Sequence, residues 1–167
     1  MKRIFSGKQK GMTLIEILIY LGLFAIIFSA AIEFSFVIGR QLQRHSQIQQ
    51  VNGTVIFINN QINDTFLYSK QINTGNSTFD NVIGAVEVQS YSNEISRYYV
   101  NNGTLFVNQD GVVSPLTDQN LEVKEFTVTQ ILDKSSEIVG VRTTFKLQFY
   151  NSDVFQTIDT NFLLSKN

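Results

Sequence analysis

"KQKGMTLIEILIYLGLF", residues 8–24, sets one carboxylate, Glu16, at the head of an apolar run that continues well past the quoted stretch. From Ile17 to Ile32 there are 16 residues without a formal charge, and counting through Glu16 and Glu33 the apolar tract runs from Met12 to Ile38. At about 1.5 Å per residue, Met12 to Glu33 makes roughly 30 Å of helix, the thickness of a bilayer's hydrocarbon core. A helix buried in a water-soluble core normally keeps a polar face, and this tract has almost none. It is therefore predicted to span a membrane. A carboxylate in such a helix costs about 2.5–3.5 kcal/mol at mid-bilayer, less toward the interface. Glu16 asks for a compensating role.

The flanks orient the tract. Lys2, Arg3, Lys8 and Lys10 precede it with no acid among residues 1–11, so the positive-inside rule places this end in the cytoplasm. Overall the 167 residues carry a net charge of -1, but removing the basic leader leaves nine cations against 14 acids. A mildly acidic body with no basic run argues against direct nucleic-acid binding.

Beyond Glu33 the apolar residues Ile38, Leu42, Ile48, Val51, Val55, Ile58, Ile62 and Phe66 recur at steps of three, four and six, with His45 filling the gap after Leu42. Arginine, glutamine and asparagine lie between them, which is an amphipathic helical pattern. No proline interrupts residues 12–67, so one long helix is predicted there, with "VNGTVIFINN" (51–60) as its weakest stretch because of its β-branched content. The period then changes to two. Segments 82–91, 94–100, 104–109, 121–132, 137–150 and 154–164 read as strands, joined by turn residues at Asn101-Asn102-Gly103, Asp110-Gly111 and Asn151-Ser152-Asp153. Residues 73–81 read as the loop leading into them. Connections this short favour an antiparallel arrangement. The expected fold class is α+β: a long N-terminal helix, apolar in its first half and amphipathic in its second, packed on one small antiparallel β-sheet.

Little chemistry is on offer. The chain has no cysteine and one histidine, so thiolate and histidine-rich metal sites are excluded. A Ser-His-Asp arrangement would have to recruit His45 from a helical seam. No glycine-rich phosphate loop follows a strand, and Asp110-Gly111 lacks the other acids of a calcium loop. Neither an enzyme, a cofactor nor a metal is expected. Tyr98, Tyr99, Phe106 and Phe126 offer either an aromatic binding surface or cross-strand packing, with packing the commoner use of such alternation.

With these residues in view, "KGMTLIEILIYLGLF" resembles the class III signal of type IV prepilins and of type II secretion pseudopilins. The shared features are a short basic leader, Gly11, a hydrophobic residue, Thr13-Leu14-Ile15, Glu16 and an unbroken apolar helix. The run "RYYVNNGTLFVNQDGVVSPLTDQNLEVKEFTV" (97–128) is similar to PilW- or J-type minor pilins. The absence of a proline near Glu33 and of a C-terminal cysteine pair points the same way. The resemblance implies a pilin-like fold with a leader at 1–11, a helix at 12–67 whose 12–36 part spans the membrane and later lines a filament core, and a β domain at 68–167. It implies that a prepilin peptidase cleaves between Gly11 and Met12, with Lys8 and Lys10 as leader charges, and that Met12 is N-methylated where most members have Phe. Cleavage would place a new amino group on Met12, one helical turn from Glu16, so that Glu16 can neutralise it within the chain or on a neighbour and set subunit register. The partners implied are the peptidase, other pilin or pseudopilin subunits and the membrane. The chain would sit in the cytoplasmic membrane, N-terminus inward, and then in an extracellular or periplasmic filament as a minor structural subunit of a type IV pilus, competence pilus or secretion pseudopilus. The alternative is a permanently anchored extracellular ligand-binding module.

Overall fold

The computed structural model describes residues 13–164. Its single long helix α1 spans Leu14–Leu67, and the chain divides into two units between Gln43 and Arg44, inside that helix.

In the first unit every described residue is exposed, and from Leu14 onward the chain is continuously helical, the backbone form that pairs its own polar groups as a membrane span requires. Its most apolar 18-residue window has a mean hydropathy of 2.4, enough by length and composition to cross a bilayer. The hydroxyls within it are satisfied locally: Ser29 Oγ donates to Ala25 O and Ser35 Oγ to Ala31 O, each at 2.9 Å. Phe24 and Phe28, one turn apart, stack at 5.8 Å.

In the second unit α1 runs unbroken through residues 51–60. The β-branched residues that weaken this stretch locally are the ones the core needs. Val51, Val55, Ile58, Ile62 and Phe66 follow steps of four, three, four and four, and all are buried. Their burial, about 1.5–3 kcal/mol for each large side chain, outweighs propensity differences of a few tenths. The expected apolar seam is covered only from Val51 onward: Ile38, Leu42 and Ile48 are 39%, 65% and 38% exposed, and His45 is exposed as well. At the end of the helix a hydroxyl satisfies one of the last carbonyls, Ser69 Oγ donating to Thr65 O, while one turn earlier Thr65 Oγ1 donates to Gln61 O.

Eight strands follow: β1 Ser69–Ile72, β2 Ala85–Ser90, β3 Ile95–Asn101, β4 Thr104–Gln109, β5 Val112–Pro115, β6 Leu121–Leu132, β7 Ile138–Phe149 and β8 Phe155–Leu163. All six expected strands are present, in antiparallel sheets as expected. They form two, a five-stranded sheet ordered β1-β2-β3-β4-β5 and a three-stranded sheet ordered β6-β7-β8, with antiparallel pairing between neighbours. Two short strands, β1 and β5, complete the first sheet beyond expectation. Both are four residues long, too short to display an alternating pattern, and β5 is an edge strand ending in Pro115, which has no N–H to donate. Segment 80–84 joins the sheets: Ile83 bridges Phe126 in parallel, Gly84 N donates to Phe126 O and Phe126 N to Val82 O.

The turns follow residue chemistry. Asn102 and Gly103 have φ of 48° and 75°, and Asp110 and Gly111 have 49° and 91°, so the β3–β4 and β4–β5 hairpins both close on two left-handed residues, as type I′ turns require. One core forms between the helix and both sheets, with Phe66 against Phe162 at 5.5 Å and Phe126 edge-on to Phe145 at 6.1 Å.

Candidate functional site

The N-terminal end of α1 carries the motif residues that the structure describes. Thr13 precedes the helix and Glu16 lies in its first turn. The Glu16 carboxylate reaches back: its Oε2 accepts from Thr13 N at 2.9 Å and from Thr13 Oγ1 at 3.1 Å, while Glu16 N donates to Thr13 Oγ1 at 3.4 Å. This is a capping box, in which a threonine and a glutamate three residues later satisfy each other's end of the helix. The acid also lies at the positive end of the helix dipole. Glu16 therefore has a role within its own chain that the sequence reading passed over, although Thr13-Leu14-Ile15-Glu16 spells it out. Gly11, Met12, Lys8 and Lys10 lie outside the described residues.

His45 is exposed, with Nε2 3.2 Å from the side-chain amide nitrogen of Gln49. No group of three His, Asp or Glu side chains that could hold a metal ion occurs among the described residues. Asp110 sits in the β4–β5 turn with φ 49°, and its Oδ1 accepts from Ile95 N at the start of β3 at 2.8 Å.

The four aromatic candidates separate by strand parity. Tyr98 and Phe126 face the core and are fully buried. The Tyr98 hydroxyl lies 2.6 Å from Thr65 Oγ1 and donates to Gln61 O at 3.3 Å, tying β3 to α1. Burial pushes its phenol above the ordinary 10.0; the Thr65 hydrogen bond opposes this and the negative charge of Asp64 adds to it. Tyr99 and Phe106 point to the other face of the sheet, where they stack at 5.8 Å with Arg97 over Tyr99. They are packing residues for each other and leave a half-buried surface.

The second unit's helix is tied to the β7–β8 turn by polar contacts that residue spacing does not reveal. Arg44 Nη2 lies 3.1 Å from Asp153 Oδ2, and Ser152 Oγ donates to Gln47 Oε1 at 3.1 Å. Both Arg44 and Asp153 are more than half exposed, so the ion pair adds little stability.

A family model described as the prokaryotic N-terminal methylation motif matches residues 6–32. No curated protein and no solved structure gave a match. The matched segment takes in the capping box and most of the apolar tract. Taken with the long apolar helix that follows the motif and the two antiparallel sheets behind it, the chain carries a class III prepilin signal and fits the type IV pilin family.

Proposed function

We propose that this chain is a minor structural subunit of a type IV pilus, competence pilus or type II secretion pseudopilus. The observation that carries the proposal is the methylation motif at residues 6–32, continuous with an apolar helix that no part of its own unit buries. Prepilin peptidase would cut between Gly11 and Met12, removing the leader with Lys8 and Lys10, and Met12 would be methylated. Residues 12–36 would first hold the chain in the cytoplasmic membrane with its N-terminus inward. They would then pack among the helices of other subunits, replacing lipid contacts with helix contacts, while residues 68–167 face outward. The role is structural, not enzymatic.

Mass spectrometry of the chain from peptidase-competent cells tests the processing step. A mature chain beginning at Met12, heavier by one methyl group, is the expected result; retention of residues 1–11 removes the basis for the proposal. A second measurement separates the filament subunit from a permanently anchored binding module. The subunit is recovered in sheared filaments, whereas the anchor stays wholly with the membrane.

A further inference from the structure

On the face of the five-stranded sheet opposite the core, strand register aligns two rows of side chains. One row is Ala85, Tyr99, Phe106 and Pro115, and the next is Glu87, Arg97, Asn108 and Val113. Glu87 and Arg97 stand directly opposite each other, where an ion pair would be the ordinary outcome. None forms. The loop after β1 takes the carboxylate instead: Glu87 Oε1 accepts from Asn73 Nδ2 at 2.7 Å and from Asn76 Nδ2 at 2.8 Å, and Glu87 N donates to Ser77 Oγ at 2.9 Å. Glu87 is left 6% exposed under this loop.

Arg97 is thereby left with a carboxylate beside it that is committed elsewhere. Its guanidinium lies 5.6 Å over the Tyr99 ring, and Tyr99 in turn stacks on Phe106 with 22° between the planes. Its Nε is shielded from solvent with no hydrogen-bond partner, and no hydrogen bond or ion pair to the terminal nitrogens is made among the described residues. The group's partner on this face is the Tyr99 ring, not a hydrogen-bond acceptor. A guanidinium partly removed from water and given no anion in return gains more from an incoming carboxylate than a fully solvated one. Contact with the ring limits the side chain's freedom before a partner arrives, which lowers the entropy cost of a bidentate contact.

We propose that Arg97, on its Tyr99–Phe106 platform, is the anchor of a binding site for an acidic segment of a partner protein. One glutamate or aspartate would meet the terminal nitrogens of Arg97, and a neighbouring apolar side chain would lie along Phe106 and Pro115 toward Val113, which is 49% exposed. A single cation suits a single carboxylate. The adjacent Glu87 and a body with nine cations against 14 acids disfavour a polyanion such as nucleic acid or an anionic lipid surface. This site is independent of the processing and assembly reading above.

The test follows the Arg97 Nε–Hε resonance by NMR in the full chain held in detergent micelles. The probes are a capped tripeptide of phenylalanine, glutamate and phenylalanine, the same tripeptide with glutamine in the centre, and inorganic phosphate. The glutamate peptide is expected to give a saturating shift at Arg97 and Tyr99, with the glutamine peptide at least about tenfold weaker because it cannot form the charge-assisted pair. Arg97→Gln is expected to abolish saturation at Tyr99. Equal responses to the two peptides, no saturating response in the parent chain, or phosphate binding as tightly as the glutamate peptide each overturn the proposal.

Discussion

Glu16→Gln separates two uses of one side chain. Glutamine at the third helical position supports a capping box as glutamate does, so the reach back to Thr13, now 2.9 Å to the backbone nitrogen and 3.1 Å to the hydroxyl, is retained. Helix content and membrane abundance are therefore expected to match the parent chain. The negative charge is lost. If Glu16 neutralises the Met12 amine in the dry core of a filament, the substitution leaves that amine unpaired, at about 3–5 kcal/mol for a broken buried pair. At about 1.4 kcal/mol per decade this is roughly two to three and a half orders of magnitude in the incorporation equilibrium. Thr13→Ala does the converse, removing the cap at about 0.5–2 kcal/mol and keeping the charge, which corresponds to a loss of no more than about thirtyfold. The assay is the ratio of mature subunit in sheared filaments to that in the membrane fraction, with processing checked by mass. If Glu16→Gln incorporates like the parent while Thr13→Ala does not, Glu16 is a helix cap and the register argument fails.

Four further substitutions test the fold, each read by thermal melting of the full chain in detergent followed by near-ultraviolet circular dichroism. Phe66→Ala removes a ring that is 1% exposed and packed on Phe162, and is expected to cost about 3–5 kcal/mol; a loss below about 1 kcal/mol would contradict the single shared core. Tyr98 stays protonated in the folded chain at a pH where the unfolded chain has lost its proton, so stability is level below about pH 10 and falls as pH rises toward the raised folded value. Tyr98→Phe should flatten that alkaline fall while lowering stability near neutrality by about 1 kcal/mol through the lost hydrogen bonds. Gly103→Ala places a Cβ 2.8 Å from Glu122 Cγ at φ +75°, whereas at Gly111, φ +91°, a Cβ meets nothing within 4 Å. Both are expected to destabilise by about 1–2 kcal/mol through the left-handed backbone, with Gly103→Ala the larger; the reverse order would mean that Glu122 swings aside without cost.

Local chemistry was readable residue by residue. The apolar tract needs no partner to declare itself, because its lack of a polar face is a property of the chain alone. The type I′ turns are legible for the same reason, since Asn-Gly and Asp-Gly favour the left-handed backbone that Asn102-Gly103 and Asp110-Gly111 adopt. The capping box is equally local, spelled by Thr13 and Glu16, but the same acid is also a charge at the head of an apolar tract, so the residue type alone does not say which use it serves.

Other features depend on what the chain meets after folding. The helix persists through residues 51–60 because Val51, Val55 and Ile58 find a core, an energy that local propensity does not contain. The split into two sheets arises where β5 ends in Pro115 and segment 80–84 pairs with β6 from outside it, a contact between residues more than 40 positions apart. The fate of Tyr98, Tyr99, Phe106 and Phe126 turned on strand parity relative to a core whose position no short window reveals. The same holds for Arg97: strand register sets it against Glu87, but only the returning loop, with Asn73 and Asn76, takes the carboxylate away. Sequence alone determined the membrane-length helix, its processing motif and the hairpin turns, because each is encoded within a few neighbouring residues. Tertiary structure decided which faces are covered and which charges are left without a partner, because those depend on segments brought together only by the closure of the core.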